Sequence, residues 1–397
     1  MSVELHVLGP QRRGLEVVER KGPGHPDTLA DAAAEAFSAR LSRFYLEHFG
    51  RVLHHNVDKV LLRGGASAPA FGGGELLEPV ELYLAGRAVT SHGGVEVPVE
   101  ELAEAAVADV LARHLRFLEV GRDVRVHTLV RPGSVDLREL FGVGALCNDT
   151  SIGVGYAPLS TLERAVLTAE DALTSPRVRD ILPGIGEDLK VLGVVRNGLP
   201  ELTVAAATVD RFVPDVDAYL DLRGEIGRLV HAAVEPLYDR VAQVRVNVGD
   251  GPGRYYLTVT GTSAEAGDDG QVGRGNRQNG LITPMRPMSL EAVAGKNPVT
   301  HVGKLYNLVA SRAAGRLAAR EDVEAAQVVV VSRIGAPVTE PWVTEVGVRP
   351  ALDADLEGLR TAAGLVVEQE LAGLEGLMLQ LVRGELDLGF SPRQGSG

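Results

Sequence analysis

The chain has 397 residues, 45% of them hydrophobic and 4% aromatic, which is enough apolar material for a sizeable core and a length that permits two or three domains of ordinary size. A formal charge of −13 repels polyanions and excludes nucleic acid as a main partner; no apolar run approaches the roughly 20 residues that span a bilayer, and no secretory leader pattern opens the sequence, so a cytoplasmic globular protein with no membrane partner is expected. The single cysteine, Cys147, excludes an intramolecular disulfide and a thiolate zinc site built from one chain.

In chain order, a turn-rich segment, Val18 to Thr28, runs into the clearest helix, predicted over 27–48: Leu29, Ala33, Ala36, Phe37, Leu41 and Phe44 fall at three- and four-residue spacing, and Gly50 follows as a stop. Further helices are predicted over 99–118 and 218–241, and a fourth from near Leu352. Short β-branched runs predict strands at 52–60, 80–84, 124–130, 202–209, 244–248, 255–260 and 328–332. This alternation reads as an α/β protein, and the half-exposed patterns favour mixed sheets covered on one face. No flexible linker divides residues 1–390, so any domains pack tightly or share discontinuous chain; 391–397 reads as a disordered tail.

Three segments carry chemistry. In Glu19-Arg20-Lys21-Gly22-Pro23-Gly24-His25-Pro26-Asp27, Pro26 suits a helix start that Asp27 and Thr28 can cap, and the free N–H groups there make an anion site with His25 beside it. Asp27, Asp31 and Glu35 share a helix face at four-residue spacing, a geometry that holds a hard cation or simply makes an acidic solvated face. The second segment, 261–280, is glycine-rich, with Asp268, Asp269, Arg274 and Arg277; its composition suits a phosphate and Mg²⁺ loop, or an ordinary surface loop. The third, 281–304, adds Arg286, Lys296, His301 and Lys304, concentrating positive charge in an acidic chain, which points to an anionic ligand. Gly295-Lys296 is no P-loop, because Asn297 stands where a hydroxyl would meet Mg²⁺. The glycines around 184–188 and 153–155 lack a dinucleotide-fold setting, and the adjacent His54 and His55 read as structural.

Together with Leu53 to Val60, Phe71 to Glu75, Gly86-Arg87-Ala88, Asn148 to Pro158, Gly186 to Val191 and Tyr256 to Asn307, these segments resemble the archaeal-type S-adenosylmethionine synthetase (methionine adenosyltransferase) family from about Glu16 to about Glu385. The resemblance implies a fold of three similar α/β subdomains built from discontinuous chain, and a homodimer with active sites at the subunit interface. It implies ATP and L-methionine as substrates, S-adenosylmethionine, phosphate and diphosphate as products, and Mg²⁺ as cofactor, with K⁺ left open. Sulfur attacks C5′ of ATP in line and the intact triphosphate leaves before hydrolysis, a reaction that needs positioning and charge stabilisation more than acid–base work. Carried over by position, His25 bonds the oxygen leaving C5′, Asp27 ligates Mg²⁺ with Asp31 in support, and Glu19 and Asp269 face the adenosine–methionine junction. Arg274, Lys296 and Lys304 hold phosphates, Gly133, Ser134 and Asp136 contact ATP and methionine, and Asp149, Asp188 and Lys190 come from the partner subunit.

The chain departs from the family pattern at Val57, Arg63, Arg131-Pro132, Arg333 and Asn247 to Asp250. Arg131 and Pro132 adjoin the segment expected to meet methionine, and proline there removes an N–H donor. Two other readings follow: a diverged relative using another thioether or nucleotide, and a non-catalytic nucleotide-binding subunit. Retention of His25, Asp27 and Lys296 weighs against the latter.

Overall fold

The computed structural model describes residues 3–9, 14–132, 145–238 and 243–390; Gly133, Ser134, Asp136 and the 391–397 tail lie outside the described residues. Three mixed sheets carry the fold. In the first, Gly270–Gln271, His55–Arg63 and Val80–Ala88 run antiparallel and Val124–Arg131 lies parallel to the last of them. In the second, Leu15–Lys21, Ile185–Arg196 and Leu199–Val209 are antiparallel, with Gln243–Val246 parallel to the last. In the third, Ile152–Ala157, Val323–Val331 and Val343–Pro350 are antiparallel, and Glu4–Val7 adds in parallel.

Each sheet bears a pair of helices: Pro26–Phe49 with Val99–His114, Thr161–Thr174 with Val216–Val234, and Val302–Ala318 with Leu356–Ala372. Their chain order repeats as helix, strand, strand, helix, strand, except that the closing strand of the third unit is Glu4–Val7 from the chain start. One further strand of each sheet is lent by a neighbour, and the second sheet also takes the short Leu257–Thr258 in parallel beside Leu199–Val209. Leu15–Lys21 precedes the Pro26 helix yet sits in the second sheet, Ile152–Ala157 precedes the Thr161 helix yet sits in the third, and Gly270–Gln271 precedes the Val302 helix yet sits in the first.

Local chemistry explains the elements that position the site. The Pro26–Phe49 helix has Pro26 in its first turn and ends where Gly50 takes φ 70° and returns its N–H to Leu46 O. Its cap is His25, whose Nδ1 accepts the Asp27 N–H, and not Asp27 or Thr28 as the sequence suggests. The Thr161–Thr174 helix starts with a Ser160/Glu163 capping box. Gly153 and Gly155 bring the Val302–Ala318 helix onto its strand: a Cβ on Gly155 would lie 2.2 Å from Ser311 N.

The helix predicted over 99–118 stops at His114, because Leu115 turns extended and it and Leu118 enter the core. The one predicted over 218–241 ends at Val234, ahead of Pro236, and the fourth begins at Leu356. Strands Leu15–Lys21, Ile152–Ala157, Ile185–Arg196 and Val343–Pro350 and helices Thr161–Thr174 and Val302–Ala318 were not predicted. No helix among the described residues is long and apolar enough to cross a membrane.

Candidate active site

The polar stripe on the Pro26–Phe49 helix, Asp27, Asp31, Glu35 and Ser38, is neither solvated nor free. It fastens the glycine-rich segment along the helix: Asp27 Oδ1 accepts from Gln271 N at 2.9 Å, Asp31 Oδ1 from Gly273 N at 2.9 Å and Glu35 Oε2 from Gly295 N at 3.1 Å, while Ser38 Oγ donates to Lys296 O at 3.1 Å. The sequence-predicted residues thereby fall into two groups, one at each end of this stripe. Eight residues of helix separate Asp27 from Glu35, about 12 Å of rise.

The first group surrounds the turn from Gly22 to His25. Lys21 Nζ lies 2.8 Å from both Asp27 Oδ2 and Arg274 O, and 3.9 Å from Glu19 Oε1. Lys190 reaches Glu19 Oε2 at 3.1 Å from the neighbouring strand, where it is the register partner of Lys21. Burial, then the charge of Lys21, pushes His25 down to about 4, with Lys190 and Arg274 acting the same way and Asp27 opposing. His25 is therefore neutral at pH 7. Since its Nδ1 accepts the Asp27 N–H at 3.2 Å, the ring proton sits on Nε2, leaving a hydrogen-bond donor ringed by cations.

Asp188 accepts from Ser263 N at 2.8 Å, Ser263 Oγ at 2.5 Å and Tyr256 OH at 3.2 Å; burial raises it to about 6 against those bonds. Asp188 and Lys190 thus stand beside His25 and Glu19 of their own chain. Asp269 commits Oδ1 to Gly64 N at 2.9 Å, and it is Asp268 that reaches Ser263 Oγ at 2.9 Å. Sequence reasoning gave no role to Lys21, Tyr256 or Ser263 and named Asp268 only as part of the glycine-rich loop, although a lysine inside the Glu19–Asp27 segment was a visible signal.

The second group lies before the Val302–Ala318 helix. Lys296 Nζ pairs with Glu291 and lies 3.3 Å from Asp58 Oδ2. His301 caps the helix through Nδ1 and the Gly303 N–H at 3.1 Å; burial, then Lys296, pushes it down to about 3. Lys304 is fully buried with both Glu35 oxygens at 2.7 Å, so it ties the helices together instead of facing a phosphate. Asp149 is exposed, and its neighbour Asn148 bonds Thr300 O at 3.2 Å, which places it beside this group.

The concentration of cations in sequence is therefore only partly a ligand feature. Arg277 braces Gly273 O and Gly275 O at 2.6 and 2.7 Å. Arg286 stacks 3.7 Å from the Tyr156 ring centre and meets buried Glu163 at 3.1 Å. Arg274 is exposed and so open to an anion, joined from other segments by Lys21 and Lys190, whereas Lys296 is buried between Glu291 and Asp58. His54 and His55 are buried, and His55 bonds Ser38 Oγ at 2.8 Å and Leu53 O at 3.1 Å, a structural role.

The family model described as S-adenosylmethionine synthetase (AdoMet synthetase) matches residues 3–385. The S-adenosylmethionine synthase of Aeropyrum pernix is 49% identical over 393 residues, 94% of this chain and 95% of the relative. The probable S-adenosylmethionine synthase of Aquifex aeolicus is 48% identical over 365 residues, 90% of this chain and 91% of the relative. Among solved structures, an unusual S-adenosylmethionine synthetase from Campylobacter jejuni superposes with TM-score 0.65 at 16% identity, covering 95% of this chain and 96% of that one, a likeness of fold.

Proposed function

The chain belongs to the S-adenosylmethionine synthetase family and is a methionine adenosyltransferase, and we propose that the neutral His25 and its ring of cations are where the triphosphate of ATP is cut from the adenosyl group. The methionine sulfur attacks C5′, the C5′–O5′ bond breaks, and the triphosphate departs with the electron pair. His25 Nε2–H donates to the departing oxygen, and Lys21, Lys190 and Arg274 stabilise the charge that develops on the triphosphate. Asp188, with Tyr256 and Ser263, and Asp268 offer acceptors for the adenosine–methionine side. The observation that carries this reading is a histidine kept neutral, with its donor nitrogen fixed, by burial among cations.

Mg²⁺ fits beside this turn. Asp31 keeps a buried Oδ2 with no hydrogen-bond partner, against Gly275, where a Cβ would come within 2.3 Å of that oxygen, and Asp27 presents a second carboxylate one turn earlier. Two carboxylates completed by phosphate oxygens are a common Mg²⁺ donor set. Asp27 and Asp31 would hold the ion, which when bound neutralises charge on the leaving triphosphate.

We place Lys296 and Asp149 at the same reaction from a second copy of the chain. Their separation from His25 along the helix supports this, as do the uncovered sheet faces bearing Leu61, Ile152 and Leu129, which are 45%, 41% and 56% exposed. The test is to incubate the protein with ATP, methionine and Mg²⁺ and follow the sulfonium product by mass spectrometry beside phosphate and diphosphate. Equal product and phosphate are expected; phosphate without sulfonium would refute the reaction. His25→Ala and Lys296→Ala should each cut turnover at least roughly a hundredfold with the dimer intact by light scattering. Near-normal turnover in either removes that residue from the site.

A further inference from the structure

Packed against the catalytic turn lies a buried carboxylate that the reaction as proposed does not use. Glu187 is 1% exposed, and its side chain is gripped by Arg116, which follows the Val99–His114 helix. Arg116 spends its whole fork on one stretch of chain: Nε on Glu187 Oε1 at 2.5 Å, one terminal nitrogen on Pro183 O at 3.1 Å, the other on Ile185 O at 2.5 Å.

The backbone around Glu187 is wedged between two glycines. Gly24 N donates to Glu187 O at 2.9 Å, and a Cβ on Gly24 would lie 2.5 Å from the Glu187 carbonyl carbon. On the other side Asp188 N donates to Gly261 O at 2.9 Å; Gly261 takes φ +88°, and a Cβ there would lie 2.7 Å from Glu187 Oε2. Thr262 Oγ1 closes the stack by donating to Gly24 O at 2.7 Å, and His114 Nδ1–H donates to Pro23 O at 2.9 Å. Gly24 precedes His25, Asp188 follows Glu187, and Gly261 leads to Ser263. One ion pair is therefore packed against all three pieces of chain that carry the proposed site residues.

We propose that Arg116 and Glu187 are positioning residues for adenosyl transfer: Arg116 locks Glu187 as the spacer that aligns the His25 turn, Asp188 and the Ser263 loop. The inference rests on the reading of His25 given above. A displacement of about 1 Å at a reacting group can cost on the order of a hundredfold in rate, so a loosened spacer acts on turnover before it acts on binding.

The experiment compares Arg116→Met, Arg116→Lys and Glu187→Gln with the parent, measuring sulfonium formation over a range of both substrates, with melting temperature and dimer content in the same preparations. Arg116→Met is expected to lower kcat at least about tenfold with KM for ATP and methionine within about threefold, and Arg116→Lys, which keeps the charge but not the fork, to recover part of that loss. Should Arg116→Met fail to fold, Glu187→Gln, which keeps volume and an acceptor oxygen, reports the same split. Unchanged kcat in the folded variants, a KM effect without a kcat effect, or no recovery by lysine overturns the proposal. His25→Ala is run alongside: full activity there defeats the site reading itself, whereas its loss with unaffected Arg116→Met and Glu187→Gln defeats the positioning role alone.

Discussion

At the scale of single residues, the side chains buried without charge make folding depend on pH in opposite senses. Burial pushes His114 down to about 4 while its ring holds Pro23 O; Arg113 and Arg179 act in the same direction and Asp387 against it. A depressed folded value means that this contribution is fully present above the unfolded value near 6.5 and is lost as pH falls toward 4, worth at most roughly 3 kcal/mol. Asp31, raised to about 7 by burial, has the reverse sign: its protonated form suits the fold, so stability falls as pH rises from about 4 through 7. The whole-protein curve mixes both, so the comparison to make is between the parent and His114→Asn by chemical denaturation. The parent's advantage should shrink from pH 7 to pH 5; a constant difference would show that His114 does not ionise on unfolding. These burial effects also mark the limit of the sequence at this scale. The sequence singles out His25, Asp27, Lys296 and Asp188 by type and position, whereas the burial of Lys304 against Glu35 and the commitment of Asp269 to Gly64 depend on contacts across more than two hundred residues, which no local pattern reports.

At the scale of elements, regular periodicity was readable and glycine-broken periodicity was not. The Pro26–Phe49 helix was predicted within a residue at each end because its apolar stripe and Gly50 stop are strong. The strands Ile152–Ala157 and Ile185–Arg196 escaped because Gly153, Gly155 and the Gly186-Glu187-Asp188 run interrupt the β-branched signal. Those glycines serve close approach. Gly155→Ala would drive a methyl into the backbone of Ser311 and should cost about 1–3 kcal/mol, read as a lower denaturant midpoint. Gly364→Ala, in the open on the Leu356–Ala372 helix, should be neutral or raise stability by about 0.5–1 kcal/mol. Equal effects would mean that the helix is free to move off its strand. The strand Ile152–Ala157 lies at a sheet edge, and its free groups are met by side chains: Asn307 Oδ1 accepts from Val154 N at 3.1 Å and Ser289 Oγ donates to Ile152 O at 3.0 Å, which blunts an edge that would otherwise pair with another chain.

At the scale of the whole molecule, α/β class, mixed sheets and discontinuous subdomains were all legible, the last through family resemblance and not through periodicity, since the repeated helix-strand-strand-helix-strand order leaves no repeat visible in the sequence. The cyclic lending of strands makes each sheet incomplete without its neighbours, so chemical unfolding should be a single transition seen alike by far-ultraviolet circular dichroism and Trp342 fluorescence; separated transitions would mean that the units are independent. Removing the first nine residues takes away Glu4–Val7 and bares the edge of Val343–Pro350, which should lower the melting temperature by at least about 5 °C and promote self-association. The same pairing has a consequence for synthesis on the ribosome. The strand Glu4–Val7 finds its place only beside residues 345–348, made some 340 residues later. At about 5–20 residues per second the nascent chain carries an unmatched strand for tens of seconds. Val7, 52% exposed even in the finished fold, and the charged Glu4 and polar His6 make that waiting segment a poor template for premature pairing.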